Sequence, residues 1–224
     1  MNPKQLTGEK SAEYVKDGMT VGLGTGSTAY WAIQALGARV KEGLSIKAIA
    51  TSNESEQLAK ELNIPIVSFA EVTHLDVTID GADEVDKHFN LIKGGGGALL
   101  REKIVAFGTK HYITIVDESK CVETLGKFSL PVEVVQFGYE WTFNDLKSLG
   151  CTPVLRKKND AVFITDNGNY IADCAFGAIK DPVQLNEYLN QIPGVVENGL
   201  FINRTNTLIV GHANGEVNVI EAGN

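Results

Sequence analysis

Strand-like and helix-like segments alternate along the first half of the chain, and this alternation limits the possible folds more than any other feature. The apolar, strand-like segments are residues 19–24, 45–50, 64–69, 74–80, 89–93 and 111–117. Segments with the spacing of an amphipathic helix lie between several of them, at residues 26–42, 55–63 and 98–108. Asn53 is the expected N-cap of the second of these helices, with Glu56 three residues further on. The alternation predicts a mostly parallel, doubly wound sheet with flanking helices.

The pattern changes near residue 127, where a second domain of α+β type is predicted. Helical patterns at residues 141–151 and 181–194 flank a segment, residues 154–174, that alternates around a strong hairpin-turn signal, DNGN at 166–169. Pro182 falls in the first turn of the second helix, where proline is tolerated. Strand, helix, hairpin and helix together indicate a small inserted domain.

Two strand-like segments near the end of the chain, residues 207–211 and 216–221, are expected to return to the first sheet. The domain division that follows is residues 1–128 with 205–224 for the α/β domain, and residues 129–204 for the small α+β domain.

Composition and charge narrow the classes of protein. The 224 residues are 43% hydrophobic and carry a net charge of −8, which is typical of a globular protein and unfavourable for binding nucleic acid. No segment approaches the roughly 18 apolar residues of a membrane span, and the first residues lack the apolar core of a signal peptide, so a cytoplasmic location is expected. The three cysteines form no CxxC pair and the four histidines share no ligand spacing, so neither residue type predicts a metal site.

Five loops rich in glycine, hydroxyl or charged residues follow predicted strands. They are GTGST at residues 24–28, TSNES at 51–55, DGADE at 80–84, KGGGG at 93–97 and DESK at 117–120. Because ligands bind outside the carboxyl ends of the strands in open α/β sheets, these loops are expected to form one composite site.

The first loop, GTGSTA at residues 24–29, matches a permitted dinucleotide fingerprint, G-x-G-x-x-A. A dinucleotide site also needs an acid at the end of the second strand, where this chain has IATSNE, and no G-K-[ST] is present for a P-loop. Thr25, Ser27 and Thr28 beside backbone N–H groups at a helix start favour a phosphate site. A tight turn with Ser27 or Thr28 as N-cap explains the same residues.

The DGADE loop brings two carboxylates, Asp80 and Asp83, onto one short turn. Such a pair is able to perform acid–base chemistry or to bind a divalent cation. Asp-Gly is also an ordinary turn dipeptide, and for this loop taken alone a solvated turn is the favoured interpretation.

The segment KGGGGALLREK, residues 93–103, places four glycines between Lys93 and a helix. A run of glycines disfavours regular structure and lets a ligand approach backbone N–H groups closely. Glu102 is expected one turn into the helix, with its side chain directed back toward the loop. The alternative is a flexible linker followed by a helix with a favourable acid in its first turn.

Taken together, GTGST, DGADE, KGGGGALLREK and DESK resemble ribose-5-phosphate isomerases of the A type in their order and spacing. The resemblance extends to LGKFSLPVEVV, TDNGN and IPGVVENGLFINR, and so covers nearly the whole chain. It implies interconversion of ribose 5-phosphate and ribulose 5-phosphate in the pentose phosphate pathway, without a metal or other cofactor. It also implies a Rossmann-like α/β domain, a small ferredoxin-like α+β domain engaged in oligomer contacts, and homodimers or homotetramers.

The resemblance also implies which residues form the site. The general base corresponds to Glu102, and a further substrate contact corresponds to Lys120. Lys4 corresponds to an N-terminal lysine that reaches the phosphate in some relatives, although no motif surrounds it. The substrate-binding stretches correspond to Thr25, Gly26, Ser27 and Thr28, to Asp80, Gly81, Ala82 and Asp83, and to Lys93, Gly94, Gly95 and Gly96.

The chemistry of an aldose–ketose isomerase accounts for these residue types. Glu102 would move a proton between C2 and C1, and Lys93 with the glycine N–H groups would stabilise the enediolate. Asp80 is the expected base for ring opening, with Asp83 orienting sugar hydroxyls, and the reverse assignment is the alternative.

Two other classes of protein fit parts of the pattern. Sugar-phosphate deaminases and CoA transferases share the general fold, and a CoA transferase would use a glutamate as its nucleophile. A sugar-phosphate sensor module is the non-enzymatic alternative, although no helix-turn-helix precedes the first strand and the chain is acidic.

Overall fold

The computed structural model describes residues 2–223. These residues form six α-helices: α1 Pro3–Ala12, α2 Ala29–Lys41, α3 Asn53–Glu61, α4 Leu99–Phe107, α5 Tyr139–Ser148 and α6 Pro182–Asn190. The strands are β1 Thr20–Leu23, β2 Lys47–Ala50, β3 Leu75–Gly81, β4 Glu84–Val85, β5 Leu91–Ile92, β6 Thr109–Asp117, β7 Leu130–Val134, β8 Thr152–Leu155, β9 Lys157–Lys158, β10 Ala161–Val162, β11 Tyr170–Ala175, β12 Val195–Asn198, β13 Leu200–Phe201, β14 Thr207–Gly211 and β15 Val217–Glu221. Two 3₁₀ helices of one turn each are Phe69–Glu71 and Glu118–Lys120.

The chain forms two compact units, each assembled from separate segments. The first unit contains Met1–Ala82, Arg101–Cys121 and Arg204–Asn224, and the second contains Asp83–Leu100 and Val122–Asn203.

The main difference from the division predicted from the sequence concerns residues 83–100, which group with the second unit. The buried carboxylate of Glu84 accepts hydrogen bonds from the backbone N–H groups of Gly126, at 2.7 Å, and Phe128, at 2.6 Å. A hydrogen bond to a buried charged group is among the stronger polar contacts in a protein, so these two bonds tie the segment to the second unit.

The first unit is built on a six-stranded sheet with the order β2-β1-β3-β6-β14-β15. All neighbouring strands are parallel except β15, which runs antiparallel to β14. Helices α1, α2 and α3 pack against β6, β3 and β2, respectively. The mostly parallel sheet with flanking helices, and the return of the last two strands to it, are confirmed.

The core of the first unit consists of aliphatic side chains from the central strands and from α2. Each fully buried aliphatic side chain contributes about 1.5–3 kcal/mol relative to exposure. The largest members of this core are Leu23, Ile33, Leu36, Ile79, Ile113 and Ile115.

Helix α1 was not predicted from the sequence. Its buried residues include Thr7, Gly8 and Ser11, so it lacks the apolar stripe that identifies an amphipathic helix. A side chain at Gly8 would lie 2.7 Å from the Trp31 Cβ, which shows that α1 and α2 approach each other closely.

The second unit contains a four-stranded antiparallel sheet with the order β12-β7-β11-β8. In chain order its main elements are β7, α5, β8, β11, α6 and β12. This β-α-β-β-α-β succession is that of a ferredoxin-like fold, which confirms the predicted small α+β domain. Pro182 begins α6, as predicted, with Asp181 as its N-cap.

Residues 89–93 do not join the parallel sheet, contrary to the prediction. Only Leu91–Ile92 is extended, and it pairs antiparallel with β4 and β13 in a separate three-stranded sheet of the second unit. A tight turn at Phe89, with φ of 61°, reverses the chain directly after β4 and so favours antiparallel pairing.

Three local predictions are also wrong. Residues 64–69 do not form a strand, because only Ile66 pairs with β2, in an isolated parallel bridge to Ala48. Pro65 has no backbone N–H to donate to a neighbouring strand. The N-cap of α3 is Ser52, whose hydroxyl accepts the Ser55 N–H, and not Asn53. The two-residue hairpin turn lies at Asn159 and Asp160, both with positive φ, and joins β9 to β10.

The DNGN segment forms a separate turn that is anchored by a buried carboxylate. The Thr165 hydroxyl and the Asn169 side-chain amide both donate to Oε1 of Glu133 at 2.9 Å. The TDNGN motif is therefore a structural element of the second unit.

Within residues 2–223, every helix is too short or too polar to cross a bilayer.

Candidate active site

The sheet of the first unit reverses its strand order at β1 and β3, and two of the predicted site loops follow these strands. In this sheet the chain goes from β1 to β2 on one side and from β3 to β6 on the other side, so the strand order reverses between the neighbours β1 and β3. The crevice at such a point is where open α/β sheets bind ligands. Residues 24–28 follow β1, and Asp80 and Gly81 end β3.

Asp80 connects these two loops. Its Oδ1 accepts the backbone N–H groups of Thr25, at 3.1 Å, and Gly81, at 2.8 Å. A Cβ on Gly24 would lie 2.2 Å from the same oxygen. Gly24 is therefore required to let the loop close over a fully buried carboxylate.

A cluster of hydroxyl groups adds the loop after β2 to the same edge. The Thr25 hydroxyl lies 2.7 Å from that of Thr51 and 2.9 Å from that of Ser52. Ser55 donates to the Gly24 carbonyl at 2.6 Å. Three of the predicted site loops of the first unit thus meet through short hydrogen bonds.

The tip of the first loop is accessible and basic. Gly26 and Ser27 are exposed, and Gly26 has φ of 99°, a conformation that favours glycine. Thr28 is the N-cap residue of α2 but makes no capping hydrogen bond through its side chain. Lys4, on α1, donates from Nζ to the Ser27 hydroxyl at 2.9 Å. Hydroxyls, a lysine and a helix N-terminus together suit a phosphate group.

Two buried carboxylates of the first unit lie near one buried phenol. The Tyr112 hydroxyl donates to Oδ2 of Asp80 at 3.3 Å. Burial raises the pKa of Tyr112 well above its usual value, and the charges of Asp80 and Glu102 raise it further. Glu102 lies in the first turn of α4 and is only 4% exposed. Sequence reasoning missed Tyr112, because its place in an apolar strand resembles that of any core residue.

Lys120 lies at the end of the 3₁₀ helix that follows β6, and it is half-buried. Asp117 caps this turn by accepting the Ser119 N–H at 3.1 Å. The loop after β6 therefore has a defined conformation, which fixes the position of the Lys120 backbone.

In the second unit, Lys93 is a buried lysine. It is 2% exposed, and its Nζ lies 5.5 Å from the centroid of the Phe201 ring. Its backbone N–H donates to the Gly199 carbonyl at 2.9 Å. A lysine is rarely buried to this degree without a functional or structural partner.

Residues 94–97, the glycine loop, form a turn in which the Gly97 N–H donates to the Gly94 carbonyl at 2.9 Å. Gly94 and Gly97 have φ of 101° and 85°, whereas Gly95 and Gly96 form the exposed tip. Asp83 accepts the Gly95 N–H on Oδ2 at 2.7 Å. The loop is thus an ordered turn and not a flexible linker.

The predicted site residues are therefore divided between the two units. The first unit contains residues 25–28, Asp80, Gly81, Ala82, Glu102 and Lys120, and the second contains Asp83, Lys93 and Gly94–Gly96.

No set of three acidic, histidine or cysteine side chains suited to a metal occurs among residues 2–223. Asp80 and Asp83 accept hydrogen bonds from backbone N–H groups.

Comparison with known proteins agrees with this arrangement of motifs. Residues 47–215 match the family model of ribose 5-phosphate isomerase A, also called phosphoriboisomerase A. Ribose-5-phosphate isomerase A of Bacillus mycoides is 56% identical over 216 residues, which cover 96% of this chain and 98% of the relative.

Solved structures show the same fold over the whole length. A D-ribose-5-phosphate isomerase in complex with phospho-erythronic acid is 40% identical, with a TM-score of 0.94 over 99% of this chain and 100% of the other. Ribose 5-phosphate isomerase A of Methanocaldococcus jannaschii is 41% identical, with a TM-score of 0.92 over 97% of each chain. The chain belongs to the ribose-5-phosphate isomerase A family.

Proposed function

We propose that this chain, an aldose–ketose isomerase by family, interconverts D-ribose 5-phosphate and D-ribulose 5-phosphate through an enediolate, with Glu102 as the base. The observation that carries the assignment is a buried carboxylate in the first turn of α4, 4% exposed. Its charge acts on the same buried phenol as that of Asp80, at the carboxyl end of β3. Glu102 takes the proton from one carbon and returns it to the next.

Burial of Glu102 supports this role in two ways. Burial keeps bulk water away from the carboxylate, so water does not compete with the substrate for hydrogen bonds to it. Its place on a helix holds it in one direction, and close, fixed placement makes even a modest base effective.

Lys93 is proposed to stabilise the negative charge that develops on the enediolate oxygens. Because its ammonium group is buried against Phe201, its charge acts in surroundings of low polarity, where an electrostatic interaction is stronger than in water. The N–H groups at the tip of the glycine loop provide further donors of the oxyanion-hole kind.

The phosphate is assigned to the loop after β1. Ser27 and Thr28 provide hydroxyls at the start of α2, and Lys4 already contacts Ser27 at 2.9 Å. Lys120 is proposed as a further substrate contact. Binding energy gained at the phosphate then helps to hold the reacting carbons in place.

Ring opening is assigned to the two aspartates, and their contacts favour the reverse of the assignment first made from the sequence. Asp80 is fully buried and accepts hydrogen bonds from two backbone N–H groups and from Tyr112. Asp83 is only half-buried and accepts the backbone N–H of Gly95. We therefore assign the proton transfer in ring opening to Asp83, and the organisation of the substrate loops to Asp80.

The ligand of one relative supports an enediolate. Phospho-erythronic acid, present in that relative's structure, is a four-carbon acid whose carboxylate resembles the two oxygens of an enediolate. Compounds that resemble the high-energy species bind more tightly than substrates. We propose that the same compound inhibits this chain.

The oligomer is also part of the proposal. Phe137 and Trp141, beside and within α5 of the second unit, are 94% and 80% exposed. Large aromatic side chains at the surface are typical of protein interfaces, which supports a homodimer or homotetramer with contacts through the small domain. A cytoplasmic location is proposed because charged sugar phosphates do not cross a bilayer unaided.

The test is ketose formation from ribose 5-phosphate by the purified chain before and after treatment with EDTA. The proposal predicts equal rates in the two samples, because every step is assigned to side chains and backbone groups. Binding of ribose 5-phosphate without ketose formation would contradict the activity. Loss of activity with EDTA, restored by a divalent cation, would contradict the assigned roles of Asp80 and Asp83.

A further inference from the structure

The glycine loop, residues 94–97, is held by an arginine that belongs to none of the predicted motifs. Nη1 of Arg156 donates to the carbonyl of Gly94 at 2.7 Å and to that of Gly95 at 3.2 Å. Arg156 follows β8 and is 62 residues from Gly94 in sequence. Its contact with the loop could not be deduced from spacing.

Arg156 is itself fixed in position. Its Nε donates to Oδ2 of Asp173 at 3.0 Å, and Nη2 donates to Oδ1 of the same carboxylate. The guanidinium carbon lies 6.0 Å from the centroid of the Phe163 ring. Asp173 lies on β11, and the backbone N–H of Arg156 donates to the Ile171 carbonyl of the same strand at 2.9 Å, so both ends of the bidentate ion pair are anchored at β11. The side chain of Arg156 is 12% exposed.

The contact determines the direction of the neighbouring N–H groups. The C=O and N–H groups of a planar trans peptide point in opposite directions. Because the carbonyls of Gly94 and Gly95 point at Arg156, the N–H groups of Gly95 and Gly96 point away from it. The Gly95 N–H meets Oδ2 of Asp83 at 2.7 Å, so the peptide between Gly94 and Gly95 is held at both ends.

Glycine peptides need such a restraint more than others do. Without a Cβ, each glycine has access to a wide range of backbone conformations, and a loop free to rotate its peptides loses entropy when it orders around a substrate. A cationic donor on the carbonyl also polarises the peptide, which strengthens the N–H at its other end as a donor.

We propose that Arg156 is a positioning residue for the isomerisation. It holds the Gly94 and Gly95 carbonyls so that the Gly95 N–H orients Asp83 and the Gly96 N–H is presented to the developing enediolate. Asp173 and Phe163 keep the guanidinium in place. This inference rests on the roles proposed above for Asp83 and the glycine loop.

The test compares Arg156→Ala and Arg156→Lys with Lys157→Ala, an adjacent and exposed change. The measurements are kcat and KM for ribose 5-phosphate, and the melting temperature. Arg156→Ala is expected to lower kcat by about 10²-fold, the typical effect of losing one preorganised donor, with KM changed much less. Arg156→Lys is expected to remain well below wild type, because an ammonium cannot bridge Asp173 and two carbonyls at once. Lys157→Ala is expected to match wild type.

Rescue by guanidinium separates positioning from a general contribution to stability. Guanidinium chloride, at concentrations well below those that unfold the wild type, should restore part of the kcat of Arg156→Ala and should not raise the activity of Lys157→Ala. If Arg156→Ala does not fold, Arg156→Lys carries the test through its kcat and melting temperature.

Three results would overturn the inference: a folded Arg156→Ala with wild-type kcat, a folded Arg156→Lys with wild-type kcat, or a loss of kcat that follows the melting temperature and is not rescued. In each case a wild-type chain that still forms ketose leaves the proposed function standing. Failure of the wild type and of Lys157→Ala to form ketose would instead contradict the proposed function.

Discussion

The phenol of Tyr112 donates a hydrogen bond to Asp80 at 3.3 Å inside the first unit, where both side chains are almost completely buried. Asp80 in turn accepts the Thr25 N–H and so holds the loop assigned to the phosphate. Burial and the charges of Asp80 and Glu102 raise the pKa of Tyr112. The phenol therefore remains protonated, and able to donate, even where an exposed tyrosine would begin to ionise.

Tyr112→Phe should lower kcat for ribose 5-phosphate by roughly tenfold, because one donor to a buried carboxylate, worth about 1.5–3 kcal/mol when the partner is charged, is lost. Steady-state kinetics and thermal melting measure the effect. Tyr188→Phe, on an exposed tyrosine of α6, is the matched control and should change neither quantity. A Tyr112→Phe enzyme with wild-type kcat would show that the phenol does not support Asp80 in the reaction.

Gly95→Val should reduce kcat by about 10²-fold or more, because the Asp83 carboxylate and the loop donors are displaced together. A Cβ at Gly95 would lie 2.5 Å from Oδ1 of Asp83, although Gly95 itself is exposed. The melting temperature should change little, since no core side chain is involved.

Gly108→Ala provides the control for Gly95→Val. A Cβ at Gly108 meets its nearest neighbour, the Ile104 carbonyl oxygen, at an ordinary 3.8 Å, so activity should be retained. Equal activity of Gly95→Val and Gly108→Ala would contradict the role given to the glycine loop.

Lys4→Met should raise KM for ribose 5-phosphate by about tenfold, because a charge-assisted hydrogen bond to the phosphate is lost. The rise should shrink at high salt, which screens exposed charges. Lys10→Met, on the same helix and paired with Glu13 at the surface, should leave KM unchanged. An unchanged KM in Lys4→Met would place the phosphate away from Ser27.

Asp83→Asn should separate ring opening from proton transfer at carbon. Ribulose 5-phosphate is an open chain, so exchange of its C1 hydrogen with D₂O needs the carbon base but no ring chemistry. The variant is expected to lose ribose 5-phosphate turnover by about 10²-fold or more, the lower range for an acid–base group, while keeping most of the exchange seen with wild type. Nuclear magnetic resonance of the C1 hydrogens measures the exchange. Parallel loss of both activities would contradict the assignment of Asp83 to ring opening alone.

The order of elements in the first unit was predictable because each strand carries its own signal. The apolar runs TVGL and DVTI are each followed by a loop rich in glycine, hydroxyl or acidic residues. The structure places them in the buried parallel strands β1 and β3. Helix α1 was missed because Thr7, Gly8 and Ser11 form its buried face. Small polar residues can pack closely against another helix, and a hydropathy pattern does not record this.

The pairing of strand β5 was not predictable from its own residues. Leu91 and Ile92 are as apolar as any strand of the parallel sheet, but the turn at Phe89 and the pairing with Leu200 and Phe201 place them in the second unit. These partners are more than a hundred residues apart in sequence, which local patterns do not reveal.

The motif residues of the candidate site were readable from the sequence, whereas the residues that support them were not. Glycine runs and paired aspartates are unusual, so they attract attention wherever they occur. Tyr112, within β6, and Arg156, between β8 and β9, are common residue types at such places, and only the hydrogen bonds to Asp80 and to the glycine carbonyls distinguish them.

The central claim is that Glu102 moves the carbon-bound proton, and the most direct measurement is ketose formation from ribose 5-phosphate by Glu102→Gln. The account predicts a fall in kcat of about 10³-fold or more, within the range for loss of a general base. Binding of phospho-erythronic acid, measured by calorimetry, should stay within a few-fold of wild type, because glutamine keeps the shape of the side chain. A Glu102→Gln enzyme that binds the inhibitor normally and retains most of its turnover would contradict the account.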